Sequence, residues 1–407
     1  MASPLQSKPK LVHITTVPES LGFVRGQVGY MQDHGFEVSA ISSPGQLLDD
    51  FGQTERIPVH ALEMLRRISP LNDLGAIRKM ISLLHALRPS IAHSHTPKGG
   101  LIGMIGAWLA RVPIRIYHIH GMPYLTAKGW KRVLLRLTEQ VSCALAHQVL
   151  CVSPSVMAEA VADGVCPARK IKVLHQGSIN GVDALGRFNP AHITAATRHE
   201  TRERFGIPDE AVVVGFVGRL VRDKGLVELM EAWSALEADW PHLHLLIVGP
   251  FEPQDPIPEA TVEKLHTTPR IHLVGTDWNT PPLYGAMDLV VLPTYREGLP
   301  VVPLEAASMG LPVVATRVPG CVDAISDGVT GTLVPSKDAA ALAAALGCYL
   351  KRPELRVQHG RAGRERMMRD FRQEVIWEAM HREYVALLKS KKLPVLMPDC
   401  DYSEPAT

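Results

Sequence analysis

Short β-branched and aliphatic runs recur along almost the whole chain, and each is separated from the next by a stretch of helical period. In the first half the runs lie at 11–16, 36–41, 90–95, 114–119 and 148–152, with helical stretches around 23–34, 73–87, 98–110 and 129–147. In the second half they lie at 212–217, 244–248, 271–274, 289–292 and 312–316. Alternation of this kind predicts parallel sheets covered by helices on both faces. At 407 residues the chain exceeds one ordinary core, so two domains are expected. The turn-rich segment GSINGVD at 177–183, followed by Asn189-Pro190, sets the division near residue 190. The predicted organisation is α/β: one Rossmann-like domain over 1–190, a second over 191–390 and a polar tail over 391–407. Two such doubly wound domains are expected to face a cleft, since these sheets bind ligands at the carboxyl ends of their strands.

What that cleft holds is narrowed by absence. No GxGxxG follows the first strand and no GxxxxGK[ST] occurs, which argues against a dinucleotide cofactor and a P-loop nucleotide. The DxD at Asp399-Cys400-Asp401 sits in the tail with no strand beside it, so no metal-diphosphate site is expected there. His93-Ser94-His95 has no carboxylate or cysteine companion in sequence and is read as a polar rim to the cleft rather than a metal ligand set. No metal or cofactor is expected. A net charge of +2 and 5% aromatic residues give no case for nucleic acid. The six cysteines form no CxxC pair, as expected of free thiols in a reducing cytoplasm. The polar opening MASPLQSKPK lacks an apolar signal core, and no uncharged run is long enough to span a bilayer.

Two loops carry the chemistry. GRLVRDKG at 218–225 follows a strand, precedes a helix and sets Arg219, Arg222 and Lys224 against one acid, Asp223. A guanidinium fork and a point charge at a strand's carboxyl end suit a diphosphate. REGLPVVPLE at 296–305 also follows a strand and leads into a helix that starts at Pro300 or Pro303. Its backbone amides at Gly298, Leu299, Val301 and Val302 then face an anion at a positive helix terminus, and Gly298 lets a ligand approach the backbone closely. Glu297 and Glu305 bracket that site. Beside phosphates a carboxylate repels, so each is expected to accept hydrogen bonds from hydroxyls flanking the diphosphate. A nucleotide sugar has such hydroxyls on both sides.

Glu297 to Glu305 resembles the E-x7-E signature of retaining GT-B glycosyltransferases, in particular the family 4 enzymes of capsule and exopolysaccharide assembly. The resemblance extends over HSHTPKG at 93–99, His120-Gly121, 177–183 leading to Arg187-Phe188, 218–225 and 298–316. It implies hexosyl transfer from a nucleotide-sugar donor, of UDP type, to a lipid-linked saccharide acceptor. Glu305 would bind the ribose, Glu297 the donor sugar, and Arg219 and Lys224 the diphosphate. His120 would approach the sugar from the N-terminal domain. Gly22 would lie in the first glycine loop, where PESLG at 18–22 has one glycine and many relatives have two. The base pocket would lie near 275–278, with Thr276 as its contact. The implied mechanism is front-side attack, with the leaving phosphate taking the acceptor proton.

AKGWKRVLLRL at 127–137 interleaves Lys128, Lys131, Arg132 and Arg136 with Trp130 and aliphatic residues. Such a segment reads either as interfacial, on anionic lipid at the inner face of the cytoplasmic membrane, or as a surface helix whose apolar stripe enters the domain core. Arg66, Arg67, Arg78 and Lys79 add basic charge to the same domain. Two other functions share the motifs: a catalytically silent nucleotide-sugar-binding subunit of an assembly complex, and an epimerase acting on UDP-sugars. A silent member is expected to lose a charged position, and Arg219, Lys224, Glu297, Glu305 and His120 are all present.

Overall fold

The computed structural model describes residues 8–66, 69–253 and 255–395. Two compact units emerge: residues 1–180 together with 374–407, and residues 181–373. The division therefore falls at Asn180/Gly181 rather than near 190, and the last helix, Gln373–Ser390, belongs with the first unit rather than the second. Its sequence explains why. Ile376, Met380, Tyr384 and Leu388 recur every fourth residue and are all buried. Tyr384 Oη lies 2.6 Å from His93 Nδ1, Trp377 Nε1 donates to Asn180 Oδ1 at 2.6 Å, and Glu383 pairs with Lys172 at 2.5 Å. Of the expected tail, 396–407 lies outside the described residues, as do Arg67 and the Asp399–Asp401 pair.

The first unit is built on a sheet of seven strands: β1 (Lys10–Ile14), β2 (Glu37–Ser42), β3 (Val59–Ala61), β4 (Ile91–His95), β5 (Ile114–Ile119), β6 (Gln148–Cys151) and β7 (Ile171–Val173). Every pairing is parallel and the spatial order is β3-β2-β1-β4-β5-β6-β7. The second unit repeats the plan with β8 (Val212–Val217), β9 (Leu243–Val248), β10 (Ile271–Gly275), β11 (Leu289–Leu292), β12 (Val313–Thr316) and β13 (Gly331–Val334), ordered β10-β9-β8-β11-β12-β13 and again wholly parallel. In each unit the chain winds outward from its first strand, then returns to that strand's other side. The reversal lies between β1 and β4 in one and between β8 and β11 in the other. Crevices at such reversals are where open α/β sheets take ligands.

Strand periodicity divides the core of the second unit in two. Val213, Leu246, Val290 and Val313 enter one buried cluster, while their neighbours Val214, Leu245, Val291 and Val314 enter the other. Both faces are therefore covered, which is what near-continuous aliphatic strands require, each buried side chain contributing about 1.5–3 kcal/mol of apolar transfer.

Candidate active site

In the second unit β8 and β11 are neighbours, so the two charged loops that follow them are also neighbours. Gly225 fixes their approach. It has φ +71°, and a Cβ there would lie 1.9 Å from the Pro293 carbonyl oxygen, so only glycine fits. The Asp223 carbonyl accepts from Tyr295 N at 2.8 Å and Thr294 Oγ1 at 3.1 Å, and the Asp223 carboxylate takes Arg296 Nε at 2.8 Å. Held this way, Lys224 Nζ forms an ion pair with Glu297 Oε1, both side chains being less than one-fifth exposed. The sequence reading gives these two residues separate partners; the structure brings them onto each other. Arg219 is more open and pairs with Glu252 at 2.7 Å. Glu252 follows β9, and Gly249 makes that contact close: with φ +140°, its Cβ position lies 1.9 Å from the Gly218 oxygen.

The helix at the second loop is Val301–Ser308, capped by Pro300 with Pro303 inside its first turn. Glu297 thus lies in the loop, and Glu305 lies just past the first turn. Gly298 is buried, Leu299 is half-buried and Val301 is exposed. The Gly298 carbonyl packs where Gly320, at φ +82°, has no side chain; a Cβ there would be 2.3 Å away. Glu305 is half-buried and accepts from the Tyr284 hydroxyl at 2.7 Å on Oε2. Its Oε1 makes no hydrogen bond among the described residues. Burial pushes the Glu305 carboxyl above the ordinary carboxylate range, opposed by the Tyr284 hydrogen bond and the positive charge of Arg187. Burial and the adjacent Glu305 charge keep Tyr284 well above its usual value, so its hydroxyl remains a donor. Arg187 is itself anchored on the Trp278 carbonyl. Thr276, past the end of the edge strand β10, is exposed and hydrogen-bonds to none of the other candidates.

In the first unit, Gly22 lies in a short 3-10 turn, Pro18–Val24, and its missing side chain would meet nothing within 4 Å. The regular helix starts only at Gln27, after Gly26 with φ +75°, rather than near 23. His120 follows β5, half-buried, with the Phe23 ring stacked on it at 4.5 Å between centroids. His93 and His95 are fully buried, so they do not form a polar rim. They belong to a cluster with His13, His118 and His120. Two triads of this cluster, His13–His93–His95 and His95–His118–His120, hold ligand atoms within 4.8 Å of one another.

Glu252, Tyr284, Arg187 and Gly320 take part in these arrangements and were not singled out from sequence. Only Arg187 carried a signal, in the segment leading from 177–183. The other three are distant in sequence and come close through strand order.

Two wound units, the second with two charged loops at its sheet reversal, define a two-domain, Rossmann-like protein of the GT-B class, and comparison with known proteins agrees. The model for glycosyl transferases group 1 matches residues 197–366, and that for the glycosyl transferase 4-like domain matches 22–177. The chain is 31% identical over 383 residues to the capsular polysaccharide biosynthesis glycosyltransferase CapM of Staphylococcus aureus, covering 94% of this chain and 98% of that one. It is 24% identical over 339 residues, 82% of this chain and 85% of the relative, to the UDP-Gal:alpha-D-GlcNAc-diphosphoundecaprenol alpha-1,3-galactosyltransferase of Escherichia coli. The crystal structure of Anabaena HepE in complex with UDP superposes with a TM-score of 0.76 at 19% identity, over 93% of this chain and all of that one (100%). The chain belongs to the group 1 glycosyltransferase family, with an N-terminal domain of the glycosyl transferase 4-like type. It is a hexosyl-type glycosyltransferase of capsular or related polysaccharide biosynthesis.

Proposed function

We propose that the enzyme transfers a hexosyl group from a UDP-sugar to a lipid-linked saccharide, with retention of anomeric configuration and without a metal. The observation that carries this reading is the pair of carboxylates flanking one helix start at the β8/β11 reversal: Glu305 held by Tyr284, Glu297 held by Lys224. Glu305 Oε1 accepts from the ribose diol. Lys224, Arg219 and the amides at Gly298, Leu299 and Val301 take the diphosphate, and Thr276 borders the base. Glu297, near the anomeric carbon, stabilises positive charge as the sugar–phosphate bond breaks. Gly22 and His120 contact the donor sugar. The acceptor hydroxyl attacks from the side the diphosphate leaves, and the departing phosphate oxygen takes its proton. Charge grows on that oxygen in the transition state, where fixed cations and dipoles act most strongly.

The lipid acceptor is supported by the helix Gly129–Leu145. Trp130, Val133, Leu137 and Val141 are all exposed, forming an apolar stripe beside Lys128, Lys131, Arg132 and Arg136. A basic, tryptophan-bearing face of this kind suits an anionic lipid surface. No helix among the described residues is long and apolar enough to cross a membrane, so contact would be peripheral. The Escherichia coli relative is named for a diphosphoundecaprenol acceptor.

Thermal unfolding with UDP-, GDP- and ADP-hexoses, each with chelator and with magnesium, tests the donor. A bound ligand raises the melting temperature by mass action. Stabilisation by UDP-hexoses in chelator is expected. Stabilisation by another base alone, or only with the divalent ion, would overturn the donor or metal-free assignment.

A further inference from the structure

Strands β1, β4 and β5 lie side by side, and their register sets His13 beside His93 and His95 beside His118. Side chains two residues apart on a strand share a face, so His93 lies with His95, and His120, just past the end of β5, sits with its ring 4.9 Å from that of His118, completing one ladder of imidazoles. Within it runs a hydrogen-bonded chain. His13 Nδ1 lies 3.0 Å from His95 Nε2, and His95 Nδ1 lies 3.1 Å from His120 Nε2. The chain ends inward at His13 Nε2, which is buried without a hydrogen-bond partner among the described residues. Burial lowers His13 and His120 to about 3. His95 is held well below its ordinary value by burial and by the other imidazoles. All three rings are neutral near pH 7, each with one N–H and one lone pair.

A neutral chain has two polarities. If each ring donates inward, His13 Nε2 must carry a hydrogen buried without an acceptor. If each donates outward, His13 Nε2 is a bare lone pair, His95 donates to His120 Nε2, and the His120 hydrogen sits on Nδ1. Buried orphan donors are rarer than under-satisfied acceptors, which favours the second polarity. We infer that His13 and His95 are positioning residues that lock His120 as its Nδ1–H tautomer, so that it meets an oxygen of the donor sugar as a hydrogen-bond donor and never as a base. The Phe23 ring stacked on His120 fixes the plane of the donor. This inference rests on the proposed contact between His120 and the sugar.

Long-range proton–nitrogen spectra of histidine-labelled enzyme, with His120 assigned through His120→Asn, read the tautomer without reference to activity. Wild type should show Nδ1 protonated and Nε2 bare. His95→Leu should lose the single tautomer and lower kcat by roughly tenfold to a hundredfold, with UDP affinity unchanged. His95→Gln, whose amide can still donate to His120 Nε2, should keep the tautomer and most of the activity. A wild-type spectrum with Nε2 protonated would overturn the lock, as would unchanged tautomer and kcat in His95→Leu. So would stoichiometric zinc in the purified enzyme that His13→Leu releases, which would make the cluster a metal centre. A locked spectrum beside a fully active His120→Asn enzyme supports the lock and sinks the sugar contact alone.

Discussion

Replacing Glu297 by Gln should separate binding from turnover in a direction set by its ion pair. Glu297 neutralises Lys224, and both are mostly shielded, at 13% and 18% exposure. On the proposed function, an incoming diphosphate takes Lys224 from that carboxylate while sitting near its charge. At roughly 6 Å and an effective dielectric of about 20, one unit charge repels another by about 3 kcal/mol. Sharing of Lys224 and solvent screening reduce the net effect to about 1 kcal/mol, or roughly fivefold in affinity. Glu297→Gln should therefore bind UDP more tightly, by about fivefold, in a calorimetric titration. The same variant should lose about a hundredfold in kcat at saturating donor, the scale of a lost transition-state electrostatic contact. Lys224→Met is the control and should bind UDP about tenfold or more weakly, losing a charge-assisted hydrogen bond of roughly 1.5–3 kcal/mol. Weaker UDP binding by Glu297→Gln with unaltered kcat would refute the assignment of Glu297 to the sugar and Lys224 to the phosphate.

Glu305→Gln and Tyr284→Phe should each raise donor KM and UDP Kd together, by about tenfold, with little change in kcat, since a ribose contact serves ground and transition states alike; a selective fall in kcat would place Glu305 at the reacting carbon instead. Glu139, buried and hydrogen-bonded to Tyr117 at 2.6 Å, is raised from 4.5 to about 7 by burial. A carboxyl raised on folding holds extra protons in the native state, so stability should fall as pH rises from about 4.5 to 7, by roughly 3 kcal/mol, and level off above. Denaturant titrations should show this slope in wild type and lose it in Glu139→Gln; an equal slope in both would exclude the group. Sedimentation with anionic vesicles should fall with salt and on replacing Lys128, Lys131, Arg132 and Arg136, at roughly 1 kcal/mol per cation; equal binding to neutral vesicles would remove the lipid assignment.

The central strands and the alternating architecture were legible because buried parallel strands are nearly continuous aliphatic runs. The strands missed, β3, β7 and β13, are edge strands of three or four residues, and β3 (VHA) and β7 (IKV) are largely half-exposed and carry no such run. The last helix carried its stripe at 376, 380, 384 and 388, yet nothing local says which unit that stripe covers. The charged residues of the two loops were legible from strand–loop–helix context, but not the Lys224–Glu297 pair, which is 73 residues apart and depends on β8 and β11 being neighbours. The histidines show the same limit. Their spacing of two was visible in HSH and HIH, but only the register of β1, β4 and β5 makes one cluster of them.

The anomeric configuration of the product tests the account most directly. The enzyme would be incubated in chelator with the UDP-hexose that stabilises it best and a diphosphoundecaprenol-linked saccharide, and the new linkage read from its C1–H1 coupling. An α linkage from the α-configured donor, formed without divalent metal and abolished in Glu297→Gln, is the expected result. A β linkage, a strict need for metal, or interconversion of the donor sugar with no transfer to acceptor would contradict it.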